Sequence, residues 1–87
     1  MPYVVVVYDV EADRTRIMLK FLRQYLNHVQ NSVLEGSVTA GDLEAIRAGI
    51  DERLQAGEST IIYTVSSEKM LDRTVFGTDP AEDAQFL

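Results

Sequence analysis

Asp9 follows six apolar or aromatic residues, Tyr3 to Tyr8, and is followed within seven residues by Glu11, Asp13, Arg14 and Arg16. A carboxylate at the end of a buried run lies near the edge of the core, where desolvation can tune it for binding. The plainer reading is a turn residue that accepts local backbone N–H bonds. One carboxylate is also a poor magnesium site, because Mg2+ relies on one or two carboxylates with waters or phosphates. A two-fold dimer would supply a second Asp9. Arg14, Arg16, Lys20 and Arg23 are candidates to engage a phosphate backbone, or else form a solvated helix face. His28, the only histidine, suits a general base near neutral pH or a phosphate-binding cation, although a lone histidine opening a strand is more often structural. Glu11, Asp13 and Glu35 are further candidate metal ligands, explained equally well as a turn acid, a helix cap and an exposed strand acid. Tyr3, Tyr8, Phe21 and Tyr25 read as core or interface rather than as base-stacking platforms. There is no Gly-rich phosphate loop, nucleophile elbow or zinc spacing. With no cysteine in the chain, disulfides and thiolate metal sites are excluded.

The elements that must position these groups follow from the apolar pattern. Val4 to Val7 is a continuous β-branched run, typical of a central strand covered on both faces. From Arg14 to Leu26 the positions Ile17, Met18, Phe21, Leu22, Tyr25 and Leu26 recur at spacings of three and four, and Arg16, Lys20, Arg23 and Asn27 take the opposite side. That spacing predicts an amphipathic helix with one basic face, capped by Asp13. His28 to Val38 fits either one bent strand or a tight hairpin turning at Asn31-Ser32. Thr39 should cap a second helix, with Asp42 in its first turn and Leu43, Ile46, Ile50 and Leu54 as its buried stripe, before Gly57 stops it. Ser59 to Ser67 reads as another strand and Arg73 to Phe76 as a short last one.

The resulting order is strand, helix, one or two strands, helix, strand. It is the βαββαβ ferredoxin-like pattern of the α+β class, with both helices on one face of the sheet. Residues 1–77 form one domain and residues 78–87 an acidic tail. The uncovered face needs a partner, and a chain of 87 residues has a marginal core by itself, so a homodimer is the expectation. The formal charge of −6 argues against nucleic acid until its distribution is considered. Residues 1–34 carry four bases and three acids, whereas residues 35–87 carry four bases and eleven acids. The first third is therefore the candidate phosphate surface. The longest apolar run is too short to cross a bilayer and lacks the basic flank of a signal peptide, so a cytoplasmic protein with no membrane contact is expected.

Four pieces carry a resemblance: the strand ending in Tyr8-Asp9, the Arg14-x-Arg16 helix start, the segment VQNSVLEG from Val29 to Gly36, and the apolar strand around IIYTV. In order and spacing over residues 3–77 the chain resembles the small CRISPR-associated adaptation proteins, the second of the two core proteins that install new spacers. The resemblance implies a ferredoxin-like homodimer whose sheets pack face to face, with the C-terminal strand Arg73 to Phe76 added to the partner's sheet. It implies a subunit that bridges two dimers of the adaptation integrase and carries protospacer double-stranded DNA. It also implies a Mg2+-dependent endonuclease on RNA, including single-stranded RNA, or on double-stranded DNA, an activity the scaffold role does not require. On that reading Asp9 is the catalytic and metal-binding acid, one from each subunit, and Tyr8, Arg14, Arg16 and His28 bind substrate. Three departures stand out: His28 and Leu34 replace a common arginine and phenylalanine, and the approach from Val10 to Arg14 is short. The alternatives are a stand-alone toxin-like endoribonuclease on the same fold and a ligand-sensing ferredoxin-like domain.

Overall fold

The computed structural model describes residues 1–72, 74, 76 and 77. The strand expected at 73–76 lies partly, and the tail 78–87 wholly, outside the described residues. Four strands and two helices make a mixed α/β domain: β1 (Tyr3–Asp9), α1 (Thr15–Leu22), β2 (Asn27–Gln30), β3 (Val33–Ser37), α2 (Ala40–Arg53) and β4 (Ser59–Val65). Short 3-10 turns at Ala12–Arg14 and Glu68–Met70 complete the described elements. The strands form one antiparallel sheet in the order β2-β3-β1-β4, which is the expected order for two βαβ units split by a neighbour.

Alternation along β1 divides its side chains between two faces. Val4, Val6 and Tyr8 lie beneath the helices with Leu34 and Val38, against Met18, Phe21, Leu22, Leu26, Leu43, Ile46 and Ile50. Val5 and Val7 point the other way and are only half-buried in the single chain. The register puts Glu35 and Val33 of β3, and Tyr63 and Ile61 of β4, opposite Val5 and Val7 on that second face. The β1 run expected to be covered on both faces is therefore covered by this chain on one, and Ile61 and Tyr63 keep 50% and 57% of their surface exposed.

Several boundaries differ from those the spacing predicts. Asp13 does not cap α1. It lies inside the 3-10 turn, where the Arg14 N–H donates to the Glu11 carbonyl at 2.8 Å, so the helix begins after it and has no side-chain cap. The helix also ends at Leu22, because Gln24 and Tyr25 donate to carbonyls three residues back and tighten the chain into a turn. Leu26 still reaches the core, but Ile17, assigned to the buried stripe, is 47% exposed. Residues 28–38 are a hairpin, not a bent strand, with Asn31-Ser32 as its turn. Neither turn residue has positive φ, so the turn is not of the type that matches strand twist. The register shift between His28 and Gln30 takes up the mismatch.

Helix α2 starts as expected: the Thr39 hydroxyl accepts the Asp42 N–H at 3.0 Å. Its C-terminal end comes earlier than Gly57. Leu54 is already extended, and Gly57, with φ of 86°, forms the turn into β4. Strand β4 stops at Val65, two residues short of the expected end. No helix among the described residues is long and apolar enough to cross a membrane.

Candidate functional site

Asp9 is the last residue of β1, paired with Ser59 at the start of β4. It is exposed, and by strand parity it belongs to the same sheet face as Val5 and Val7, away from the helices. Two connections flank it: residues 10–14 leading out of β1, and residues 54–58 leading into β4.

These connections are tied together by one carboxylate. Glu58 accepts the Arg14 Nε–H at 2.8 Å and the Glu11 backbone N–H at 3.1 Å through Oε2, and the Gln55 backbone N–H at 2.9 Å through Oε1. The Arg14 guanidinium also donates to the Arg53 carbonyl. The Glu58 side chain is 2% exposed and that of Arg14 17%. The Arg14 hydrogen bond, followed by the Gln55 and Glu11 amides, holds the Glu58 carboxyl down at about 2, against the opposing effect of desolvation. Sequence reading singled out Arg14 for phosphate and overlooked Glu58. The only signal was an acid between Gly57 and the last long apolar strand.

Tyr8 and His28 converge on a different point. The Tyr8 hydroxyl donates to the Asn31 carbonyl at 3.2 Å, and His28 Nε2 lies 3.1 Å from the same oxygen. A carbonyl only accepts, so this contact requires the proton on Nε2. The Tyr8 N–H adds a bond to the Ser32 carbonyl at 3.0 Å, fixing the β2–β3 turn beside the end of β1. Tyr8 is buried at 2% exposure, and burial pushes its phenol above the ordinary value, so it stays protonated and donating. Its ring reaches a substrate only by leaving the core.

Arg16, Lys20 and Arg23 remain on the exposed side of α1 and its following turn, where with Leu19 they line a shallow cavity of about 490 Å³. Glu11 and Asp13 are exposed in the connection. Glu35 is a correction: expected as an exposed strand acid, it is buried at 7% exposure and accepts the Tyr3 hydroxyl at 2.7 Å. It faces away from the helices, into the apolar side of the sheet, and the pair was not foreseen because Tyr3 and Glu35 are neighbours only through β1–β3 pairing.

Among the described residues no three His, Cys, Asp or Glu side chains gather as a metal site. The donor chemistry of one chain thus fits a divalent cation only in part, through the exposed Asp9 carboxylate. Magnesium with one or two carboxylates and several waters or phosphates is compatible with such a donor set when a second copy contributes.

The family model for CRISPR associated protein Cas2 matches residues 1–73. Among named relatives, the CRISPR-associated endoribonuclease Cas2 of Thermococcus kodakarensis is 48% identical over 84 residues, 93% of this chain and 96% of that one. The Haloferax volcanii protein of the same name is 39% identical over 83 residues, 95% of this chain and 96% of its own. A Cas2 crystal structure superposes with a TM-score of 0.82 at 33% identity, over 90% of this chain and 88% of the other. Streptococcus pyogenes Cas2, solved at pH 6.5, superposes with a TM-score of 0.70 at 26% identity, over 84% and 99%. With the family model matched over residues 1–73 and relatives 39–48% identical over nearly the whole chain, this protein belongs to the Cas2 family of CRISPR-associated proteins.

Proposed function

We propose that the protein acts as a two-fold dimer that holds nucleic acid, cleaves phosphodiesters with Mg2+ through Asp9 of each copy, and serves spacer acquisition by bridging integrase dimers on protospacer DNA. The observation that carries the reading is the register of β1. Asp9 ends the strand on the face that exposes Ile61 and Tyr63, so a second copy covering that face would bring its own Asp9 to the same interface. Burying the exposed half of such a side chain favours association by about 1 kcal/mol each. The names of the relatives support nuclease chemistry on RNA.

In this reading each chain does three things. Arg16, Lys20 and Arg23 hold phosphates electrostatically and set the path of the strand. Asp9 offers its carboxylate oxygens at the scissile position. Tyr8 and His28 keep the β2–β3 turn against the strand end, with His28 exposed enough to meet a phosphate as well. The bound ion would supply Lewis acidity, lowering the pKa of a water and offsetting charge on the scissile phosphate.

The test compares wild type with Asp9→Ala on single-stranded RNA and double-stranded DNA, with Mg2+ and with chelator. Loss of cleavage in Asp9→Ala, with spacer acquisition retained alongside the integrase, is the expected result. Undiminished cleavage by Asp9→Ala would place the chemistry elsewhere, and growth arrest without any link to acquisition would favour the toxin-like ribonuclease.

A further inference from the structure

The Glu58 carboxylate takes up three N–H donors, two from the distant β1–α1 connection and one from its own α2–β4 connection, and both connections border Asp9. Glu11 is two residues beyond Asp9, and Glu58 is next to Ser59, the residue paired with Asp9. Arg14 completes the bridge, since it donates both to Glu58 and to the carbonyl of Arg53 at the end of α2. Its guanidinium is thus committed to protein acceptors on two sides. Arg16, by contrast, lies in the exposed basic cavity with Lys20 and Arg23.

We propose that Glu58 and Arg14 are a positioning pair: they lock the β1–α1 and α2–β4 connections together and so fix the Asp9 carboxylate, while Arg14 makes no phosphate contact. The proposal deepens the Asp9 nuclease reading and rests on it for its catalytic consequence. Physically, a carboxylate with three N–H donors at 2.8 to 3.1 Å is a rigid node. Losing either charged partner leaves the other with unmet hydrogen bonds in a nearly closed site. Both connections then loosen, and displacement of a catalytic group by about 1 Å can cost on the order of 100-fold in rate. Arg14 and Glu58 therefore act as one unit, and their losses do not add.

The experiment uses Arg14→Ala, Arg14→Lys, Glu58→Gln and the Arg14→Ala/Glu58→Gln double variant of the full chain, with Arg16→Ala for comparison. Three quantities are read: kcat for Asp9-dependent cleavage of single-stranded RNA, the salt dependence of RNA binding with chelator present, and backbone amide NMR shifts. The expected result is a kcat loss of roughly 10- to 100-fold in Arg14→Ala and Glu58→Gln, no further loss in the double variant, and unchanged RNA affinity. Arg14→Lys keeps a charge but loses the planar fork, and should recover only part of the rate. Arg16→Ala should instead flatten the salt slope by about 0.7, the contribution of one phosphate contact on a single strand. If Arg14→Ala flattens that slope, or if the single losses multiply in the double variant, Arg14 touches phosphate and the proposal fails. Should wild type show no Asp9-dependent cleavage, the nuclease reading fails, and the clamp is then judged by NMR. Matching shifts at Asp9, Glu11, Gln55 and Ser59 in Arg14→Ala and Glu58→Gln support it, and undisturbed Glu11 and Gln55 amides in either variant overturn it.

Discussion

Gly49→Ala tests whether the helix layer is packed as closely as the structure requires. Gly49 lies within α2 and is buried. A Cβ there would sit 1.9 Å from Phe21 Cζ and 2.5 and 2.6 Å from Cε1 and Cε2. Carbon atoms in contact prefer about 3.5–4.0 Å, so the ring or the helix must give by roughly 1.6–2 Å. The ring has little room. It is 8% exposed, the Arg53 guanidinium lies 4.1 Å from its centroid, and Tyr25 meets it edge-on at 5.7 Å. Replacing Gly by Ala in a helix interior gains about 1 kcal/mol. Against this stand overpacking, which costs about 1–3 kcal/mol, and the displaced Tyr25 and Arg53 contacts, each worth about 0.5–1.5 kcal/mol. The net expectation is a loss of about 1–5 kcal/mol. For a domain of this size each kcal/mol moves Tm by about 4–8 °C. Thermal unfolding followed by circular dichroism, at one protein concentration because association stabilises the folded state, should show Gly49→Ala melting well below wild type. In the Phe21→Leu background the clash is gone, and the same substitution should be neutral or stabilising. A Gly49→Ala protein as stable as wild type would mean that α1 and α2 do not meet at Phe21, and the packing argument would be wrong.

Two other perturbations probe the sheet face and the clamp. Ile61→Glu with Tyr63→Ser should convert a dimer to a folded monomer in sedimentation velocity, with less than about 1 kcal/mol lost from the subunit for the two substitutions together because both positions are exposed in one chain; a variant that still sediments as a dimer would remove this face from the interface. Because the folded Glu58 carboxyl is held at about 2, below the ordinary carboxylate range, its contribution to stability is present above about pH 4.5 and is lost as pH falls toward 2. Denaturant unfolding at pH 5, 4 and 3 should therefore show a shallower acid loss in Glu58→Gln than in wild type, and parallel curves would contradict the clamp.

Residue pattern alone carried the element order, the capping of α2 by Thr39 and the basic face of α1, because these depend on spacing within ten or fifteen residues. Long-range pairing decided the rest. Whether Asn31-Ser32 was a bend or a hairpin turn depended on the partner offered by β1, and the early end of α1 on a turn closing through local carbonyls. Glu35 read as a surface acid until the sheet set Tyr3 beside it.

The division is sharpest at the candidate site. The sequence determined that a strand ends on Asp9 and that four bases follow, and it set the expectation of a partner for the apolar second face. Only the tertiary structure decided how the bases divide: Arg14 inward to Glu58, 44 positions away in the chain, and Arg16, Lys20 and Arg23 outward. Arginines two positions apart look equivalent as letters. Their roles separate when folding brings a distant carboxylate and a helix-end carbonyl to one of them, because a desolvated guanidinium takes the acceptors nearest to it.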